Sequence, residues 1–135
     1  MANTFKLSVV APDRTVTEGE VTSIVAPGVH GYIGVLAGHV PMIMALKPGI
    51  LEYLGIDNQR HYVSIGGGFM EVNQGSAVVL AEQAEHSNEI DIKEAEEKLE
   101  KARKALRGES ADMSREEAQE ELERAMARVK AARLS

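Results

Sequence analysis

Cysteine and tryptophan are absent from this sequence, and aromatic residues make up only 4% of it. Without cysteine the chain has neither disulfide bonds nor a thiol nucleophile, and a reducing compartment is its natural setting. An excess of basic residues is also lacking. The formal net charge is -6, which argues against a nucleic-acid surface because phosphate binding depends on clustered lysine and arginine. A protein or small-molecule partner fits this composition better.

Long apolar runs are missing as well. No stretch approaches the roughly 20 residues that a helix needs to cross a bilayer. The first residues, 1–7, have neither the apolar centre of a signal peptide nor the arginine-rich pattern of a transit peptide. We therefore expect a chain that reaches a membrane only indirectly, through a partner.

Motifs that carry chemistry are also scarce. The four histidines lie at no metal-ligand spacing, and neither a nucleophile elbow nor a phosphate-binding loop is found. The run Gly66-Gly67-Gly68 follows one predicted strand and precedes another, so a turn with positive φ explains it better than a phosphate loop. We expect a protein that is not an enzyme, with no catalytic residue, no metal site and no required cofactor.

Composition divides the chain near Glu85. Residues 1–84 hold 11 charged side chains and 11 of the 12 glycines, whereas residues 85–135 hold 25 charged side chains and only Gly108. The sequence therefore predicts an α+β protein with two domains. The first, residues 1–84, is an antiparallel β-sandwich, and the second, residues 85–135, is an antiparallel two-helix hairpin.

The sandwich is predicted from short runs of valine, isoleucine and leucine that alternate with turn-forming residues. Spacing of this kind is typical of a sandwich or flattened barrel of about eight to ten short strands. The strands are predicted at Phe5–Ala11, Val21–Ala26, Tyr32–Leu36, Met42–Leu46, Ile50–Ile56, Arg60–Ile65, Phe69–Val72 and Ser76–Glu82.

The hairpin is predicted from two apolar stripes with alternating steps of three and four residues. Gly108 is expected to end the first helix, and Ser114 to cap the second. Because both stripes are narrow and rich in alanine, their burial stabilises the hairpin only weakly, at about 0.8 kcal/mol per methylene-sized group. An extended arrangement could therefore compete with the closed one. The stripes are Ile92, Ala95, Leu99, Ala102 and Leu106, then Ala118, Leu122, Ala125, Val129 and Ala132.

Two glycine motifs carry a family resemblance. Residues 31–41 read GYIGVLAGHVP, and residues 67–72 read GGFMEV. Together with the order of strands and the terminal hairpin, they closely resemble the epsilon subunit of F-type ATP synthases over essentially the whole chain.

The resemblance implies a non-catalytic rotor subunit of the central stalk, with the gamma subunit, the c-ring and the alpha/beta hexamer as partners. It implies a peripheral position at the cytoplasmic face of the inner membrane, and a mobile hairpin that restrains ATP hydrolysis. Tyr32 and His39 fall in the region expected to face the c-ring and gamma. Tyr32 stands where many members carry an acidic residue, so an aromatic contact is expected instead. A hydrogen-bonded structural role in its turn is the simpler interpretation of His39.

Several bacterial relatives bind ATP in the compact form, and the resemblance implies an ATP site here at Glu85, Ile90, Asp91, Arg124 and Arg128. Glu94 departs from the motif, because it places an anion where the family has an arginine. We therefore expect ATP to be at most a weak regulatory ligand.

Each of these residues also has an interpretation without ATP. Asp91 could cap the first helix, and Arg124 could pair with Glu120 and Glu121 one turn earlier. Arg128 has no acid one turn away on its own helix, so its partner is an acid on the first helix or the sandwich, ATP, or the hexamer.

Two rival functions remain open at this stage. One is a free-standing module whose main activity is to sense ATP. The other is a generic adaptor with a sandwich and a coiled-coil tail, which would make the glycine motifs a coincidence.

Overall fold

The computed structural model describes residues 3–134. Seven strands are followed by a single 3₁₀ turn, Ser87–Glu89, and by two helices. The strands are β1 (Phe5–Ala11), β2 (Arg14–Gly28), β3 (Gly31–Leu36), β4 (Met42–Gly55), β5 (Arg60–Asn73), β6 (Ser76–Ala81) and β7 (Ala84–His86), and the helices are α1 (Ile92–Leu106) and α2 (Arg115–Leu134).

The first six strands follow the order β1-β6-β5-β4-β2-β3, and β1 also pairs with β2, so that five strands close into a flattened barrel. All pairs are antiparallel except β1 with β6, which is parallel. Alternate residues of β1 point inward, and Leu7 and Val9 are almost fully buried. Burying a side chain of this size contributes about 1.5–3 kcal/mol. The predicted sandwich followed by a two-helix hairpin is confirmed.

Fewer and longer strands are present than the sequence predicts. Two breaks between the predicted strands, at Pro48-Gly49 and at Gly66–Gly68, lie inside β4 and β5 in the structure. At Gly68 φ is +143°, and a Cβ there would overlap the Leu80 carbonyl oxygen. The glycines therefore bend β5 where its partner changes, since residues 63–65 pair with β7 and residues 68–73 pair with β6.

Helix α1 begins and ends as the sequence predicts. The Asp91 side chain accepts a hydrogen bond from the Glu94 N–H at 3.2 Å, which is a normal N-cap. Gly108 adopts φ +78° after the last turn. There the Gly108 and Glu109 N–H groups donate to the carbonyl oxygens of Ala105 and Lys104 at 3.1 and 2.9 Å, and these two bonds form a Schellman motif.

Helix α2 lies between α1 and the sandwich. Its N-cap is Ser114, whose hydroxyl accepts from the Glu117 N–H at 3.1 Å. Ala125 and Val129 pack against Ala95 and Leu99 of α1. Ala127 and Ala131 are also buried, on a second face of α2, and the helix packs there against β4 and β5. In the described range, neither helix is both long and apolar enough to span a membrane.

Candidate functional site at the junction of the sandwich and the helices

Two arginines one turn apart on α2 fasten the helical hairpin to the sandwich. Arg124 and Arg128 have side chains that are each only 14% exposed. Both lie on the helix face that turns toward β5 and the β7 segment. We call these two residues, together with their partners Gly66, Glu82, Glu85 and Glu94, the arginine cluster.

Arg124 connects α2 to the sandwich. Its Nε donates to the Gly66 carbonyl oxygen at 3.1 Å, and a terminal guanidinium nitrogen lies 2.7 Å from a Glu82 carboxylate oxygen. The same nitrogen lies 2.7 Å from Glu120, and Glu121 is 3.8 Å from the other terminal nitrogen, as expected for pairs within one helix.

Arg128 joins three segments. Its Nε donates to Glu85 of β7 at 2.9 Å, and a terminal nitrogen lies 3.4 Å from a Glu94 oxygen on α1. Burial alone would lower the pKa of Arg128, but the hydrogen bonds and charges of Glu85 and Glu94 outweigh it and raise that pKa. Among the three partners left open for Arg128, the structure therefore provides acids on both β7 of the sandwich and the first helix.

Glu94 already has two cationic partners. Lys98, one turn along α1, places its ammonium 3.2 Å from the same Glu94 oxygen that faces Arg128. The hydrogen bonds from Lys98 and Arg128 lower the pKa of Glu94, so the carboxylate stays ionised at neutral pH. Glu94 is thus a fixed anion of the arginine cluster, held by two cationic side chains.

A cavity of about 360 Å³ opens between α1, α2 and the sandwich at the arginine cluster. Glu85, Arg124 and Arg128 line it, whereas Ile90 and Asp91 do not. Ile90 packs against the core of the helical hairpin instead, and Asp91 is the cap of α1. The structure therefore brings three of the five residues of the predicted ATP site to one cavity.

The charges around this cavity nearly cancel. Its lining holds the carboxylates Asp13, Glu82, Glu85, Glu94 and Glu121 and the cations Arg14, Lys98, Arg124 and Arg128. A triphosphate would have to compete with these carboxylates for the two arginines. Glu82 was missed by the sequence analysis because it is 42 residues from Arg124, and no local pattern links the two.

Tyr32 and His39 lie elsewhere. Tyr32 is 54% exposed, but its hydroxyl oxygen accepts from the Ile50 N–H at 3.2 Å. The ring borders a groove beside Met126 and Lys130 of α2. The His39 N–H donates to the Leu36 carbonyl at 3.2 Å, and its ring Nδ1 lies 2.9 Å from the Val40 carbonyl oxygen. These bonds agree with a structural role for His39 in its turn.

Comparison with known proteins matches both parts of the chain. The family described as ATP synthase, Delta/Epsilon chain, beta-sandwich domain matches residues 4–87. The family described as ATP synthase, Delta/Epsilon chain, long alpha-helix domain matches residues 88–133.

Individual relatives agree. The ATP synthase epsilon chain of Syntrophomonas wolfei is 40% identical over 132 residues, covering 96% of this chain and 94% of the relative. That of Carboxydothermus hydrogenoformans is 44% identical over 106 residues, covering 78% of each chain.

Solved structures extend the likeness to the fold. A chain of the Euglena gracilis mitochondrial ATP synthase, from a structure of OSCP, F1 and the c-ring, superposes with a TM-score of 0.80 at 28% identity. The match covers 98% of this chain and 82% of that one. A chain of the Tetrahymena thermophila enzyme shares the fold at 13% identity, with a TM-score of 0.61. By its sandwich, its helical hairpin and its relatives, the chain belongs to the ATP synthase delta/epsilon chain family.

Proposed function

We propose that this chain is a regulatory rotor subunit, which joins gamma to the c-ring through the sandwich and restrains ATP hydrolysis through the helical hairpin. An epsilon subunit performs no catalysis itself. In this proposal, the hairpin permits ATP hydrolysis while it is docked on the sandwich. An undocked, extended hairpin reaches the alpha/beta hexamer and blocks rotation. The subunit sits peripherally, at the cytoplasmic face of the inner membrane.

The arginine cluster carries this proposal. Helix α2 meets the sandwich through alanines, and small side chains give little stabilisation per residue. Arg124 and Arg128 therefore supply specific contacts that cross between the two parts. When such a contact holds a state only a few kcal/mol below its competitor, a partner or ligand of modest affinity can shift the population.

Deletion of the hairpin tests the regulatory role. A chain that ends at residue 90 is compared with the full chain in a complex rebuilt from gamma, the hexamer and the c-ring. We expect the shortened chain to stay bound and ATP hydrolysis to become faster. If hydrolysis is unchanged while the shortened chain remains bound, the hairpin does not restrain the enzyme.

A second candidate function is the binding of ATP in the cavity of the arginine cluster, and the two partly buried arginines favour it. The five carboxylates in the cavity lining oppose it. We therefore propose ATP as a weak regulatory ligand at most, with Glu94 as the main obstacle. Calorimetric titration of the isolated chain with ATP distinguishes this role from that of a strong ATP sensor.

A further inference from the structure

A second cluster of titratable groups surrounds His86 at the end of β7, one residue past Glu85 of the arginine cluster. His86 is the last residue of β7, and its ring meets the rings of Tyr53 and His61. The ring centroids of His61 and His86 are 6.1 Å apart, and His61 stacks on Tyr53 at 4.9 Å. Thr17 and Asp57 complete the cluster through hydrogen bonds to Tyr53 and His61.

The hydrogen bonding of His86 fits the neutral ring. Its Nε2 lies 3.3 Å from the Tyr53 hydroxyl, which also lies 3.3 Å from the Thr17 hydroxyl. Its Nδ1 is buried and has no hydrogen-bond partner in residues 3–134. A neutral imidazole can leave Nδ1 without a hydrogen, but an imidazolium carries a hydrogen on both nitrogens. Protonation would therefore bury a positive charge and an N–H group at this position, and the Asn88 side chain, which favours the charged ring, offsets only part of that cost.

The charges that face His86 from the surrounding segments have opposing effects. Burial is the main cause that lowers the pKa of His86, and the charge on His61 of β5 lowers it further. Glu89 and Asn88 of the 3₁₀ turn raise it, but the net direction is downward from 6.5.

Two of these neighbours have partners of their own. Glu89 pairs with Arg14 of β2 at 3.1 Å, and His61 pairs with Asp57 at 3.1 Å. The positive charge of Arg14 offsets the negative charge of Glu89.

The position of His86 connects it to the helical hairpin. Strand β7 pairs with residues 63–65 of β5 and leads directly into the 3₁₀ turn and α1. The residue before His86 is Glu85, the partner of Arg128. A rearrangement of His86 thus displaces both the base of α1 and one anchor of α2.

We propose that His86 is a pH-sensitive hinge, whose protonation loosens β7 from β5 and favours the undocked hairpin. Because the folded state prefers the neutral ring of His86, protonation destabilises it. The contribution of His86 to folding stability is complete above the ordinary histidine pKa of 6.5 and decreases as the pH falls below that value. The hinge is a property of the isolated chain and holds whether or not the hairpin regulates hydrolysis.

The test combines NMR titration of the histidine rings with hydrogen exchange at the amides of residues 84–86, corrected for intrinsic rates, between pH 7.5 and 5. We expect His86 to titrate below an ordinary histidine and exchange at β7 to rise as His86 becomes protonated. His86→Gln keeps an amide near Tyr53 and should abolish that rise. His30→Gln, at an exposed histidine, should preserve it.

His61→Gln provides a second test that leaves His86 in place. Removal of the His61 charge should shift the His86 titration upward, and with it the pH at which β7 opens. The proposal is overturned if His86 titrates at or above 6.5, if the rise in exchange persists in His86→Gln, or if His61→Gln moves neither midpoint. An acid-induced loss of docking that is identical in wild type and His86→Gln also contradicts it.

Discussion

Replacing Arg124 by methionine removes the charged anchor of α2 while keeping an apolar stem of similar length. Two contacts across the junction are lost, the hydrogen bond to the Gly66 carbonyl at 3.1 Å and the pair with Glu82 at 2.7 Å. A hydrogen bond from a charged group contributes about 1.5–3 kcal/mol. The Glu82 carboxylate is 64% exposed, so its pair adds no more than about 1 kcal/mol.

The hydrogen bond and the ion pair together give an expected loss of about 1.5–4 kcal/mol in docking free energy, which is a decrease of at least about tenfold in the ratio of docked to undocked hairpin. Since the chain has no cysteine, Gln74→Cys and Ala111→Cys can carry a dye pair on the sandwich and on the loop between the helices. Single-molecule energy transfer between the dyes then gives the two populations directly.

The structure offers a matched control for this experiment. Glu82 and Glu120 both place an oxygen 2.7 Å from the same Arg124 nitrogen, but only Glu82 lies across the junction. Glu82→Gln should reduce docking, and Glu120→Gln should leave it nearly unchanged. The reasoning is refuted if Arg124→Met changes the docked ratio by less than about threefold, or if the two glutamine variants behave alike.

Two further predictions concern the cavity and the sandwich. Glu94→Arg replaces the fixed anion by a cation, and we expect the ATP affinity measured by calorimetry to rise at least about tenfold. A change of two charges near a triphosphate is worth more than about 1.4 kcal/mol. Equal ATP affinities of the two proteins would contradict the charge argument. Gly68→Ala places a Cβ against the Leu80 carbonyl at φ +143° and should cost about 1–3 kcal/mol in thermal unfolding, whereas Gly19→Ala, with open space around it, should cost less than half as much.

Local signals predicted much of the fold. The change in composition near Glu85 separates strands from helices, because short apolar runs interrupted by glycine and turn residues are typical of strands and long runs of charged helix formers are typical of helices. The C-terminus of α1 and the N-terminus of α2 were also predictable, since Gly108 and Ser114 act through hydrogen bonds to residues near them in the chain. Interactions between residues that are close in the chain can be recognised from the pattern of a single sequence.

Long-range features were not predictable in the same way. The glycines of β5 predicted a turn, but the strand continues through them because β6 and β7 pair with its two halves. The second buried face of α2 was missed because Ala127 and Ala131 do not stand out in an alanine-rich helix. The distant carboxylate Glu82 was found only once the strands had been placed.

Within the predicted site, the roles that depend on sequence neighbours were predictable and those that depend on distant segments were not. Glu94 was noted as a departure from the family motif, but its pairing with Arg128 depends on the angle between the helices. The capping role of Asp91 is local and was anticipated from its spacing to Glu94. The ATP and interface roles proposed for these residues await the measurements described above.

The most direct test of the account is ATP hydrolysis by a reconstituted complex that carries Glu82→Lys. This change repels Arg124 from the sandwich and leaves every residue of the helical hairpin as it is, so it shifts docking without altering what the released hairpin can contact. The account predicts slower hydrolysis than with the wild-type chain, and recovery when the hairpin is also deleted after residue 90. Unchanged or faster hydrolysis with Glu82→Lys, in a complex where energy transfer shows the hairpin undocked, would contradict it.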